Sequence, residues 1–332
     1  MRLPALNIPL KVAISAVIII LLLSRMDVKA LGEQIAQVQI TGMIWAGLFI
    51  LMQIGLLAWR WSDLINMDKV QPGLTYSESL KITLASLLAN VLFITSISGL
   101  VVRVGLTIHH GINLTKTICA AIVDRLMTLF ALMILAAAFV PLFDNFVDEA
   151  LHNATYATLL VMVFTVMIFI PLFFSKTIKD TIMSIPKIDL CLSYLMSAKQ
   201  NRTVFARIII NSMTAQIFYF IAVYFVALSS GLHFSFLDLM TVLPVITLIA
   251  SLPVSFGGWG VREGAFVLGL ALIGIPEETA FLISIQIGLL TMIATIVSGI
   301  PALLSMDMKK IAEDVRHLLH KTKDITHPSH AE

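Results

Sequence analysis

The chain has 332 residues, of which 58% are hydrophobic and 13% charged, and its formal net charge is +2 at pH 7. A mean hydropathy of +0.96 excludes an ordinary soluble globular domain and marks an integral membrane protein. So small a net charge argues against a nucleic-acid partner. Cys119 and Cys191, far apart in sequence, suggest neither a disulfide framework nor a metal cluster, and they read as packed thiols.

Apolar runs follow one another at 8–23, 40–59, 82–102, 118–143, 157–174, 205–228, 236–256, 265–275 and 280–304. Most approach the roughly 20 residues of a spanning helix. The first leads into Ser24-Arg25-Met26-Asp27 in place of a small-residue cleavage site, which predicts a retained helix, not a signal peptide. The second ends in Trp59-Arg60-Trp61. With Trp45, these residues read as anchors at the membrane surface.

Run 82–102 can be counted in two ways. A full crossing places Arg60, Lys69 and Lys81 outside. A dip and return places them inside, together with Arg2 and Lys11, which fits the positive-inside rule better. The stretch 82–107 is then a re-entrant element whose backbone needs protein or a watery cavity around it. Asp124 and Arg125 follow in run 118–143, about 16 Å along a helix starting near Asn113. Neighbouring helical positions point about 100° apart, so these two require partners elsewhere: Glu263 for Arg125, and Arg103 or Arg262 for Asp124.

The connection 144–155 carries Asp144, Asp148 and Glu149 without Lys or Arg, and 229–235 lacks both cations. The connection 175–207 holds Lys176, Lys179, Lys187, Lys199, Arg202 and Arg207, which places it in the cytoplasm. Segment 175–200 reads either as lying along anionic headgroups or as a solvated loop. Both termini are expected to be cytoplasmic. Near the end, Gly257-Gly258-Trp259-Gly260-Val261-Arg262-Glu263-Gly264 interrupts the apolar pattern, and run 265–275 is too short to cross alone. A charge near the bilayer centre costs roughly 2.5–3.5 kcal/mol, so this break needs protein or a polar cavity around it.

The two breaks resemble each other. Residues 96–105 lie without gaps on 255–264, with Ser, Gly, Val, Arg and Gly matching. With the first break entered from the cytoplasm and the second from outside, this predicts an inverted repeat around a central site. A glycine-rich turn before a helix aims N–H groups at an anion, and an arginine adds a fork suited to two phosphate oxygens. The candidate substrate-binding residues are Arg262, Glu263, Gly257, Gly258, Gly260, Arg103, Asp124, Arg125 and Asn90. The competing role is that of buried ion pairs that fix packing. Gln53, Asn90, Asn211, Gln216 and Gln286 are available to line a path or to bond between helices. His109-His110 lacks a third ligand at metal spacing, so neither a metal nor a cofactor is expected.

The stretch 252–264, with Asn90, Gly99, Arg103 and Asp124-Arg125 before it, resembles the flippase-like membrane domain of lysylphosphatidylglycerol synthases, from the second apolar run to about Leu304. The chain departs from the family pattern at 93–98, which contains no proline. The resemblance implies a stand-alone member without the synthase domain. It also implies transport between leaflets of a phosphate-bearing lipid, such as a polyprenyl phosphate or a modified phospholipid, or of a hopanoid. In that mechanism Arg262 and Arg103 hold the phosphate. The alternatives are a non-transporting membrane partner of a lipid-modifying enzyme and, less favoured, a lipid-carrier glycosyltransferase, which would need a larger soluble domain.

The expectation is thus an all-α polytopic helix bundle of about six full spans plus two re-entrant elements. Its membrane domain covers 1–304, with halves at 1–143 and 157–304, and a basic cytoplasmic tail covers 305–332. The expected partners are inner-membrane lipids with anionic headgroups, and no catalytic residue is expected.

Overall fold

The computed structural model describes residues 8–25, 32, 34, 38–68, 73–93, 96–139, 194, 201–232, 234–251 and 259–306. Among these residues are nine helices and no strand, as predicted. They are α1 (Ile8–Arg25), α2 (Ile40–Ile65), α3 (Tyr76–Phe93), α4 (Ser96–His109), α5 (Leu114–Phe139), α6 (Arg202–Ser229), α7 (Phe236–Ala250), α8 (Val261–Ala271) and α9 (Glu277–Leu304). Four of them, α2, α5, α6 and α9, are long and apolar enough to cross a membrane. At 1.5 Å per residue, each exceeds the roughly 30 Å hydrocarbon core. Run 157–174, nearly all of the basic connection before Arg202, Gly257, Gly258 and the tail beyond 306 lie outside the described residues.

Helices α2 and α6 form an antiparallel pair clamped at both ends. At one end the Gln39 N–H donates to the Ser229 carbonyl at 2.9 Å. At the other, both sides of the Arg207 guanidinium fork meet the Asp63 carboxylate. A side chain at Gly42 would strike the Phe225 carbonyl and Ser229, so glycine sets how closely the helices approach. Phe49 stacks on Phe225 at 5.7 Å between ring centroids.

Helices α3 and α4 form a tight hairpin. At its closed end the Gly99 N–H donates to Asn90 Oδ1 at 2.7 Å and the Ser98 hydroxyl to the Ala89 carbonyl at 3.0 Å. At its open end His110 lies 3.8 Å from the Glu78 carboxylate. A Cβ at Gly99 would overlap the Ser86 carbonyl and the Asn90 amide. Gly99→Ala must therefore part the hairpin, and it is expected to lower stability by about 1–3 kcal/mol, read as a lower unfolding midpoint in detergent.

Helix α7 starts at Ser235, whose hydroxyl accepts from the Leu237 N–H while Asp238 accepts from the Ser235 N–H. These bonds satisfy donors that the first helical turn leaves open. Helix α8, of 11 residues, packs back on α7 where Gly269 meets Ile246. Gly260, just before α8, has φ +88° and lies against Ser15 and Ile18 of α1. Both constraints require glycine there. Helix α9 is a common wall: its Gly299 faces Leu84 and Leu88 of α3, and its Gly288 lies beneath Arg262 of α8.

Three sequence expectations are corrected. Arg60 and Trp61 are not surface anchors, because Arg60 is 2% exposed and Trp61 is fully buried; Trp45 and Trp59 do face outward. The helix turns about 100° per residue, so Trp59 can look out while its two successors look in. Cys119, expected as a packed thiol, is disulfide-bonded. Glu263 does not reach Arg125, for reasons given by the site.

Candidate functional site

The structure brings Arg60 and Arg103 onto Asp124, ten residues into α5. Arg60 from α2 donates through Nε to Asp124 Oδ1 at 2.7 Å, through Nη1 to Ser212 at 3.1 Å and through Nη2 to Thr128 at 3.0 Å. The second carboxylate oxygen, Oδ2, accepts from Arg103 Nη1 of α4 at 3.1 Å. Asp124 is 6% exposed, so an ionised carboxylate is stable there only because it is paired on both oxygens. Of the expected partners for Asp124, Arg103 is the one found. Arg60 was missed.

The two arginines differ in freedom. Arg60 is held on three sides. Arg103 has one hydrogen-bonded contact, stacks 4.9 Å above the Trp61 ring, and leaves its Nε without a partner among the described residues. It lies seven residues into α4, about 10 Å from the helix start, so the dipole of that helix end does not reinforce it.

These charges border a cavity of about 320 Å³. Arg60, Arg103, Asp124 and Arg125 form one part of its wall, and Gln53, Asn90, Gln216, Tyr219, Thr247, Thr291 and Thr295 contribute neutral polar groups from other helices. Among the described residues that line it, three arginines stand against one aspartate, an excess of two positive charges. Arg125 makes no hydrogen bond or ion pair among the described residues and is exposed. It shares a face of α5 with Ile118, Ile122 and Leu129, all exposed. An arginine in such an apolar stripe is costly unless it meets an anion or snorkels to water. Leu100 of α4, also exposed, borders the same cavity, so the opening lies between α4 and α5.

Arg262 stands in a different arrangement. Its Nε and Nη2 both donate to Glu263 Oε1, at 3.0 and 2.6 Å, and its guanidinium stacks 4.6 Å from the Trp259 ring. Glu263 Oε2 accepts the Gly260 N–H at 2.5 Å, and Glu263 is fully buried. The anion at the start of α8 is therefore the chain's own carboxylate. Neighbouring side chains seldom pair within a helix, but here Glu263 turns toward the first turn and the long Arg262 side chain folds onto it. That is why Glu263 is unavailable to Arg125. Gly288 leaves room for the Arg262 guanidinium, and Thr291, one turn further along α9, borders the cavity. Asn90 borders it too, with its Oδ1 engaged by Gly99. Gly257 and Gly258 lie outside the described residues.

No curated protein and no solved structure matches the chain significantly. A family model described as "Lysylphosphatidylglycerol synthase TM region" matches residues 8–299. That description names a transmembrane part and connects the chain with membrane lipids. With nearly the whole helical bundle inside the match, the chain belongs to the lysylphosphatidylglycerol synthase transmembrane-region family.

Proposed function

We propose that the protein binds the headgroup of an anionic, phosphate-bearing lipid in the cavity beside Asp124 and carries it between leaflets. One observation bears most of this reading: Arg125, exposed on an apolar face of α5 and without a hydrogen-bond or ion-pair partner among the described residues, borders a cavity that also holds Arg103. A phosphate entering from the side would meet both guanidinium forks while its chains stayed in lipid. Arg60 remains with Asp124 as the fixed base of the site.

The positive-inside rule places the Arg207 end of the bundle in the cytoplasm of an inner membrane, with both chain termini on that side. The α3–α4 hairpin then enters from the cytoplasm and α7–α8 from outside, as two inverted re-entrant elements. Both pack on α9, which supports rocking of the hairpins against it to open the cavity to each side in turn. In this reading the Arg262–Glu263 pair fastens the second hairpin.

The test is leaflet-to-leaflet movement in liposomes containing the purified chain, with labelled phosphatidylglycerol and phosphatidylcholine of identical chains. The expected result is movement of the anionic lipid well above that of the zwitterionic one. Equal rates would remove the role of the cationic cavity, and movement of neither would refute transport.

A further inference from the structure

The headgroup cavity has a second chemical character that the phosphate does not use. Gln53, Gln216, Tyr219 and Thr295 border it, and none of their side chains has a hydrogen-bond partner among the described residues. Gln216 is 5% exposed and Thr295 2%, so little is left to satisfy them except what occupies the cavity. Gln53 and Tyr219 are half-buried, and polar side chains that line a cavity without a partner in the protein are a ready binding surface. They come from three helices, α2, α6 and α9, and converge on one space.

Their chemistry selects a ligand. Amides and hydroxyls both donate and accept, and the complementary group that does the same is a hydroxyl. An ammonium group accepts no hydrogen bond and would add positive charge to a cavity that Arg60, Arg103 and Arg125 already border. The one carboxylate bordering the cavity, Asp124, is engaged on both oxygens by Arg60 and Arg103. A volume of about 320 Å³ lies at the low end for ligand pockets, about 300–1,000 Å³, which suits a headgroup and not a whole lipid.

We infer that the preferred headgroup is a phosphate ester of a neutral polyol, glycerol or a sugar: the phosphate lies on Arg103 and Arg125 and the hydroxyls on the Gln53, Gln216, Tyr219 and Thr295 surface. This rests on the headgroup site proposed above. It sets the chain against cationic headgroups, including the lysyl-bearing lipid in the family's name.

The experiment measures binding of four lipids with identical chains to the purified full chain by native mass spectrometry: phosphatidylglycerol, phosphatidic acid, phosphatidylethanolamine and lysylphosphatidylglycerol. Phosphatidic acid is the demanding control, because its phosphate monoester carries more negative charge and charge alone would favour it. Phosphatidylglycerol is expected to bind about tenfold more tightly than phosphatidic acid, a difference of about 1.4 kcal/mol, and both ammonium lipids more weakly than phosphatidylglycerol. Gln216→Leu should remove the phosphatidylglycerol advantage and leave phosphatidic acid unchanged; Gln53→Leu supplies the same comparison if the first variant does not fold. Phosphatidic acid equal to or tighter than phosphatidylglycerol, or an ammonium lipid matching phosphatidylglycerol, overturns the polyol inference while leaving an anionic-lipid site in place. Binding of none of the four would overturn the headgroup site itself.

Discussion

Asp124→Ala is expected to destabilise the protein by roughly 3–5 kcal/mol, the usual loss when one partner of a buried ion pair is removed. The carboxylate receives Arg60 on one oxygen and Arg103 on the other. Without it, two guanidinium groups face each other in a space that water barely reaches. Arg60 keeps Ser212 and Thr128, but hydroxyls do not neutralise charge. The double variant Asp124→Ala with Arg60→Met should therefore be more stable than Asp124→Ala alone, since it removes a charge along with its counter-ion. Chemical unfolding of the variants in detergent micelles measures both differences. An Asp124→Ala protein that unfolds with wild-type midpoint would show that the carboxylate is not the counter-ion described.

Arg125→Gln should do the opposite: stability stays within about 0.5 kcal/mol of wild type or rises, while anionic-lipid transport falls by on the order of ten- to a hundredfold. The stability expectation follows from what Arg125 touches. It has no hydrogen bond or ion pair among the described residues, and its face of α5 is apolar, so the neutral amide breaks no such bond there; it gives up an attraction to Asp124 and a repulsion from Arg103, which act in opposite directions, and relieves an exposed charge. The functional expectation follows from the loss of charge-assisted hydrogen bonds to phosphate, worth about 1.5–3 kcal/mol. Paired unfolding and liposome measurements on one preparation separate the two effects. Loss of stability and transport together would instead assign Arg125 to packing.

Much of this arrangement was legible in the residues. The glycine-containing interruption before Arg103 indicated the α3–α4 hairpin, and Asp124 needed a cation from another helix, which Arg103 supplies. The Arg60 contact was hidden by composition, because Trp59-Arg60-Trp61 at the end of an apolar run looks like an interfacial belt. The helix phase held the missing signal. Trp45, Leu48, Met52 and Trp59 recur at helical spacing on the exposed face of α2, which turns Arg60 inward.

The rule that every intramembrane charge needs a partner also misled in one case. Arg125 faces outward and has no ion-pair partner among the described residues, while Glu263 joins Arg262 and the Gly260 amide. The convergence of Gln53, Gln216, Tyr219 and Thr295 depends on packing among three helices. No local pattern in the sequence carries it, although two of these residues stood out as polar positions in apolar runs.

The most direct test of the central claim is the phospholipid retained by the purified protein after extensive detergent washing, with wild type compared with the Arg103→Gln/Arg125→Gln double variant. Tightly held anionic phospholipid in wild type and its loss from a folded double variant is the predicted result. Equal retention by the two proteins would contradict a phosphate site built on these arginines.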